Sequence, residues 1–298
     1  MTDRAAEPSY HIAGQKLGAT RPQPGLYVVA TPIGNLGDIT IRALGVLAGA
    51  DLVLCEDTRH SATLLDHYGI RTPRRALHEH NEHARIGEVI DRLGQGAAIA
   101  LISDAGTPLL SDPGFPLVRA VREAGLPVFA VPGASALLSA LSVAGLPTDA
   151  FGFFGFLPAR QAARRKALAL EAARRDTLVF YESPRRLAET LADMAGSLGP
   201  DREAAVALEL TKRFERVERG TLADLAARFA EVETKGEAVV LVAGAPERVV
   251  AQADWQEALA EALEHDSVRD AVDAVSARFG LKRKEVYDAA LAHRAEKP

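Results

Sequence analysis

The sequence predicts an α/β protein: two successive α/β domains followed by a small helical module. Three observations carry this. Short apolar strands alternate with helix-periodic stretches from Leu26 to Leu146, the alternation breaks at Gly145-Leu146-Pro147 and resumes to about Ala245, and beyond Pro246 the chain becomes Ala-rich without strand signals. A length of 298 residues supplies enough chain for more than one core. The expected organisation is a disordered segment over 1–24, α/β domains over 25–146 and 147–246, and a helical module over 247–298.

Taken in order, the first 24 residues are polar and Pro-containing, with no apolar leader. Strands follow near 26–31, 52–55, 75–78, 97–102 and 127–131, where short apolar runs end in turn residues. Between them, Thr40 to Ala48 and Glu82 to Leu93 repeat apolar residues at helical spacing, which makes the first sheet mostly parallel. The second domain has strands at Phe151–Phe156, Thr177–Tyr181, Ala204–Glu209, Arg216–Arg219 and Ala238–Val242, and a hairpin around Lys212 to Glu215 makes its sheet mixed. Helices around 254–264, 267–279 and 282–292 complete the chain. Ser267 to Tyr287 reads as a helix-turn-helix with Gly280 at the turn, although three packed helices without a nucleic-acid role fit the same pattern.

Composition narrows the class. With 48% hydrophobic and 25% charged residues the chain is that of a soluble globular protein, and no run reaches membrane-spanning length, so a cytoplasmic location is expected. The single cysteine, Cys55, lies in the apolar run Leu52 to Cys55 and reads as a buried strand residue without a disulfide partner.

Three strand-to-helix corners carry the chemistry. In V-P-G-A-S-A-L-L-S-A-L (Val131 to Leu141) the Pro132-Gly133 pair ends a strand and Ser135 can cap the next helix. Ile99 to Gly114, a buried apolar strand that runs into polar residues, offers the oxygens of Asp104 and Thr107, while Gly106 permits close backbone approach. Val28 to Asp38 follows the first strand but lacks G-x-G-x-x-G, which disfavours a dinucleotide site, and the phosphate loop, H-E-x-x-H and G-x-S-x-G are absent too. Corners of this kind at strand ends of an α/β sheet bind small molecules.

With these corners, the segments Glu56-Asp57-Thr58-Arg59, His78-Glu79-His80-Asn81, Phe153 to Pro158, Tyr181-Glu182-Ser183-Pro184-Arg185-Arg186 and Glu209-Leu210-Thr211-Lys212 closely resemble one family over residues 25 to 245. It is the ribosomal small-subunit RNA methyltransferase I family, the 16S rRNA cytidine 2′-O-methyltransferases of the class III, tetrapyrrole-methylase superfamily. The resemblance implies S-adenosylmethionine bound in a cleft between the two α/β domains, a decoding-centre cytidine of the small ribosomal subunit as target, and a homodimer. The superfamily's G-D-P loop falls on Gly106-Thr107-Pro108 and its serine after Pro-Gly on Ser135; Leu110, Ala136, Tyr181 and Ala238 take positions that line the adenosyl pocket, or are core residues. Thr107 stands where most members carry aspartate, which moves the polar contact toward Asp104.

Methyl transfer to a ribose hydroxyl requires alignment, exclusion of water and help in removing a proton; it needs no metal. Glu56, Asp57, Arg59, His80, Asn81, Glu182 and Lys212 are the candidates at strand ends and at the hairpin, with the base unassigned. Each has another reading: Asp57 and Arg59 can pair and cap a helix, Glu182 can serve the helix start at Ser183-Pro184, and Lys212 beside Arg213 can hold phosphate. His78 and His80 are expected to alternate at a strand end, without the spacing of a zinc site. The net charge of −5 is unfavourable for an RNA enzyme, so the expected footprints are local: Arg160, Arg164, Arg165 and Lys166, with Arg185, and Lys282-Arg283-Lys284. The competing functions are a class III methyltransferase acting on a tetrapyrrole or protein side chain, and a non-catalytic RNA-binding assembly factor.

Overall fold

The computed structural model describes residues 7–232, 234–246 and 252–296. It comprises two compact units, residues 1–245 and 246–298. Residues 1–6 of the segment expected to be disordered, and position 247, where the helical module was expected to begin, lie outside the described residues.

Part of that N-terminal segment is ordered. Strands β1 (Ser9–Ile12) and β2 (Gln15–Gly18) pair as an antiparallel hairpin. Ala13 and Gly14 turn it, both with positive φ (50° and 78°), as a tight two-residue hairpin demands. Tyr10, 7% exposed, anchors the hairpin in the core, and the His11 amide donates to the Tyr68 carbonyl at 2.8 Å. Strands of four residues with few apolar positions leave little period to read in the sequence.

The first sheet contains β3 (Gly25–Val29), β4 (Leu52–Cys55), β5 (Arg74–Ala76), β6 (Ala98–Leu101) and β7 (Val128–Val131), all parallel, in the order β5-β4-β6-β3-β7. Successive side chains fall on opposite faces. Leu52 and Leu54, with Ile99 and Leu101, join Val89, Leu93, Leu117 and Val121 of α3 (Glu82–Gly94) and α4 (Phe115–Glu123). Val53, Cys55, Ala98 and Ala100 face the opposite core with Leu44, Leu47, Leu64 and Leu65 of α1 (Ile41–Gly49) and α2 (Thr58–His67). Burial on both faces is why these strands read as unbroken apolar runs. β5 stops at Ala76, so His78 to Asn81 form a turn instead of a strand end. The Asn81 side chain makes that turn, accepting from the His78 amide at 2.9 Å and donating to the Ala76 carbonyl at 3.2 Å.

The second sheet is mixed, in the order β11-β10-β12-β9-β8, from β8 (Phe151–Phe156), β9 (Thr177–Glu182), β10 (Glu203–Leu208), β11 (Arg216–Thr221) and β12 (Ala238–Val242). Only β8 and β9 run parallel. One face is covered by α6 (Gln161–Glu171), α7 (Leu187–Leu198) and α8 (Leu222–Ala230). The other face is covered by α5 (Ala136–Ala144), a helix that follows the first sheet in sequence. Leu137, Ala140, Leu141 and Ala144 join Val179, Ala205, Ala207, Val239 and Leu241 in one cluster, together with Ile33 from the first corner. The two α/β segments expected to be separate domains therefore share a core and form one compact unit.

Arg164 does not lie on the expected RNA-binding face. It is 1% exposed, and its Nη2 sits 2.6 Å from Asp193 Oδ2 on α7, itself buried. Arg165 reaches the other carboxylate oxygen at 2.6 Å but stays 59% exposed. Burial raises the Asp193 carboxyl, and hydrogen bonds from Arg165 and Arg164 outweigh it, leaving the net shift downward. A buried guanidinium requires such a partner.

The second unit holds α9 (Gln252–His265), α10 (Val268–Phe279) and α11 (Arg283–Glu296) around Trp255, Leu259, Val272, Val275 and Val286. Ser267 caps α10 by accepting from the Asp270 amide, and Gly280 ends it in the left-handed conformation. No helix among the described residues is long and apolar enough to cross a membrane.

Candidate functional site

The three corners of the sequence follow β6, β3 and β7, which are neighbours in the sheet, so they meet at one edge. Backbone hydrogen bonds tie the first two together: Thr31 N to Gly106 O at 2.8 Å and Gly106 N to Thr31 O at 3.0 Å. Gly106 has φ of +82°, and a Cβ there would meet Ile33 Cγ2 at 3.2 Å, so glycine suits both the turn and the approach. The Thr107 hydroxyl ties the second corner to the third by donating to the Ala134 carbonyl at 3.2 Å. Beyond it, Leu109 and Ser111 hold left-handed φ values of 74° and 68°, a conformation that costs a non-glycine residue about 1–3 kcal/mol. This strained turn leads directly into Asp112.

Between these corners and the second sheet lies a cavity of about 420 Å³. Ile33, Leu110, Ala136, Ala238 and Val239 supply apolar wall, Phe156 and Tyr181 supply aromatic wall, and Glu182, Ser183, Pro184, Gly236 and Glu237 continue the lining on the second-domain side. Phe156 and Tyr181 meet edge to face with centroids 5.7 Å apart, and Phe156 remains 58% exposed. Asp104 and Asp112 also line the cavity, whose lining includes no Lys, Arg or His among the described residues. Burial pushes the Asp112 carboxyl up to about 6, with Glu56 and Asp104 adding to the rise and the Ser103 hydroxyl opposing it. Glu56 is also raised, first by burial and then by Asp104 and Glu79. The site thus has apolar flanks and one strongly anionic region.

The residues expected to hold a cofactor divide. Asp104, Gly106, Thr107, Leu110, Ala136, Tyr181 and Ala238 line the cavity, whereas Pro108, Pro132, Gly133 and Ser135 do not. Ser135 is 5% exposed and caps α5, accepting from the Leu138 amide, while Gly133 packs against Ala30. Those four shape the corners.

The candidate catalytic residues lie mostly outside the cavity lining. Glu56 acts on it through its charge, and the Asp57 amide donates to Asp104 Oδ1 at 3.2 Å. The Asp57 side chain caps α2 and pairs with Arg59 at 3.0 Å, so both follow the capping alternative. His80 is exposed against the His78 ring, and Asn81 is spent on its turn. Glu182 lines the cavity, yet the residue is only 2% exposed and its carboxylate accepts from the Ser183 amide, Arg186 and the Thr190 hydroxyl, which fixes the start of α7. Lys212 pairs with Glu209 at 3.0 Å and Glu237 at 3.4 Å, and its stem lies where a side chain on Gly34 would stand. It braces the hairpin against the first corner. Of the cationic candidates, Arg160, Arg165, Lys166, Arg185, Lys282, Arg283 and Lys284 are exposed, with Arg283 paired to Asp273.

Asp112 was missed, as were Ile33, Ser111 and Gly236; of the phenylalanines Phe151, Phe153, Phe154 and Phe156, expected to alternate between core and cleft, Phe156 is the one that lines the cavity. The sequence signal for Asp112 is a second aspartate in the same corner, within S-D-P-G, where Pro113 and Gly114 read simply as a helix opening.

The fold and cleft define a tetrapyrrole methylase-like protein, and the family model described as Tetrapyrrole (Corrin/Porphyrin) Methylases matches residues 25–226. A second model, the RsmI C-terminal HTH domain, matches residues 249–294. Ribosomal RNA small subunit methyltransferase I of Haemophilus influenzae is 46% identical over 275 residues, covering 90% of this chain and 96% of its own length. That of Mesorhizobium japonicum is 48% identical, covering 91% and 94%, and that of Pseudomonas aeruginosa 54%, covering 74% and 80%. The chain belongs to the ribosomal RNA small subunit methyltransferase I family. The fold is shared with the methyltransferase CobJ (TM-score 0.57, 20% identity, 76% of this chain and 97% of that one) and with uroporphyrin-III-C-methyltransferase from Thermus thermophilus (0.54, 23%, 74% and 94%).

Proposed function

We propose that the protein transfers a methyl group from S-adenosylmethionine to the ribose 2′-oxygen of a cytidine in 16S rRNA, at the decoding centre of the small ribosomal subunit. The observation that carries this reading is the cavity, apolar along its flanks and anionic in one region, in a chain of an rRNA methyltransferase family. Its volume suits a ligand of nucleoside size. Asp104 and Asp112 match the positive charges of a sulfonium and an ammonium, and no cation among the lining residues opposes them. Tyr181 and Phe156 offer rings to an adenine, and α5, which begins at the cavity wall with Ala136, favours a carboxylate at its N-terminus.

When bound, the cofactor supplies a methyl group on a sulfonium sulfur, open to in-line attack. The chain's own contribution is to hold, dry and deprotonate. Ile33, Leu110, Ala238 and Val239 keep water from the reacting carbon. The ribose hydroxyl must shed a proton, and the carboxylates of Asp104 and Asp112 are the acceptors at hand. With its pKa pushed up to about 6, Asp112 stays largely ionised at neutral pH yet is a stronger base than an ordinary carboxylate. Arg160, Arg165, Lys166 and Arg185 form one phosphate-binding rim, and Lys282, Arg283 and Lys284 a second. Leu138 and Val143, exposed on α5, supply apolar surface for a homodimer. An enzyme acting on small subunits works in the cytoplasm.

The test is to mix the protein with labelled S-adenosylmethionine and small subunits from a strain lacking this modification, then locate the label by nuclease digestion and mass spectrometry. Label on the ribose of one 16S cytidine supports the reading. Cofactor binding without RNA label moves the protein to a tetrapyrrole or protein substrate, and absence of cofactor binding to a non-catalytic RNA-binding role.

A further inference from the structure

The turn His78 to Asn81 leads into Glu82, the first residue of α3. Glu82 is 3% exposed, so its carboxylate must find donors inside the protein. It finds them far along the chain, at the start of α4: the Gly114 amide donates to Oε2 at 3.3 Å and the Leu117 amide to Oε1 at 3.0 Å. Asp112, in the lining of the cavity, stands just before Pro113 and Gly114. Resting on the function proposed above, we infer that Glu82 is a positioning residue for methyl transfer, which holds Asp112 in the cavity by fixing the turn that carries it.

Helix α4 cannot fix its own start. Its N-cap is Gly114, which has no side chain to offer, and Pro116 in the first turn has no amide, so the N-cap and third-residue amides of Gly114 and Leu117 need an outside acceptor. In a capping box two side chains of one helix satisfy these two donors, whereas here a single carboxylate from another helix satisfies both. The charge suits the place, since a helix N-terminus favours an anion and hydrogen bonds to a carboxylate are the stronger kind. Glu82 can reach the spot because α3 and α4 cover the same face of the first sheet, around Leu54, Leu101 and Leu117. Its aim comes from the turn before it: Asn81 closes that turn onto Ala76, and the Glu82 amide donates to the His78 carbonyl at 3.0 Å.

The segment that carries Asp112 needs holding at both ends. Leu109 and Ser111 have left-handed φ, which their side chains disfavour, so the chain would not adopt this turn unaided. Its first end is tied by Gly106 to Thr31 and by Thr107 to Ala134. Its second end is tied by Glu82, at a glycine so close to β6 that a Cβ on Gly114 would meet Leu101 Cδ2 at 2.8 Å. Loss of Glu82 frees that end, lets Leu109 and Ser111 relax, and moves the Asp112 carboxylate away from the cationic centre it attracts. The polar turn after β5 thus acts on the cofactor from outside the cavity.

The experiment is a double-mutant cycle of Glu82→Gln with Asp112→Asn, read as S-adenosylmethionine affinity by calorimetry and as melting temperature. Gln keeps the size of the side chain but turns an NH2 donor toward one of the two amide donors, so the cap is broken without opening a void. The expected result is an affinity about 5- to 10-fold weaker for Glu82→Gln in the parent and less than about 2-fold weaker in the Asp112→Asn background, with melting temperature lowered in both. Arg164→Ala is the control: it lowers melting temperature through a different pair of helices and should leave affinity at the parental value. If Glu82→Gln does not fold, Glu82→Asp, too short to reach both amides, takes its place with a smaller loss. Parental affinity in a folded Glu82 variant overturns the assignment, as does an equal loss in both backgrounds or in Arg164→Ala, since Glu82 would then act by its charge or by general destabilisation. A parent protein that binds no S-adenosylmethionine instead overturns the function on which the assignment rests.

Discussion

Asp112 concentrates the conflict between folding and function in one side chain. Its carboxyl is pushed up to about 6 by burial, with Glu56 and Asp104 facing it and only the Ser103 hydroxyl opposing. An unfolded chain ionises an aspartate near pH 4, so between about pH 4 and 6 the folded protein holds a proton that the unfolded chain has lost. Stability therefore falls as pH rises through that window, and above it the fold carries a penalty of roughly 1–3 kcal/mol. Asp112→Asn should melt higher than the parent at neutral pH, with the gain vanishing below about pH 4. The same variant should bind S-adenosylmethionine more weakly, because a neutral amide no longer attracts a cation. Melting curves across pH with calorimetry check both halves, and a variant with unchanged melting and affinity would remove Asp112 from the site. The strained φ values at Leu109 and Ser111 accord with a loop shaped for its ligand.

At the scale of elements, the clearest test separates two adjacent arginines on α6. Arg164→Ala leaves Asp193 buried without its main partner and should cost about 3–5 kcal/mol, read as a fall in melting temperature. Arg165→Ala should cost less, because Arg165 is largely exposed and Arg164 remains. The Asp193 carboxyl lies below its ordinary value, so the stability it contributes is present above about pH 4 and is lost as pH falls further. The sequence could not separate the pair, since a run of arginines reads as a solvated face until an aspartate some 30 residues later is seen beneath it. Strands were legible for the opposite reason: burial on both faces writes itself into runs such as Leu52 to Cys55 and Ala238 to Val242. Helix α5 was legible as a helix but not by its destination. Apolar spacing says that a face is buried and is silent on which sheet buries it. Likewise the corners announced a ligand and the Phe-rich strand 151–156 offered a ring to the cleft, while Gly236, brought to the cavity just before β12, carried no local mark.

For the whole molecule, net charge and function have to be reconciled by distribution. Acids outnumber cations across the chain and also within the C-terminal unit, so nucleic-acid affinity rests on few exposed cations. Removing Arg160, Lys166 or Arg185 should each lower the slope of subunit affinity against salt by about one, whereas a charge-neutral change elsewhere should leave it alone. Sedimentation of the intact protein checks the homodimer, and Leu138→Glu with Val143→Glu should shift a dimer toward monomer if α5 forms the interface.

The order of the second sheet also constrains how the protein can be made. Its central strand, β12, is the last of its five to leave the ribosome, and it fits between β9 and β10, each already paired with another strand. A nascent chain that stops short of Val242 has two half-sheets with facing open edges, and its α5 has no finished surface to cover. The walls formed by Ala238 and Val239 are then missing as well. A chain released before Val242 would therefore be exposed to aggregation through unpaired strand edges before it could hold any ligand.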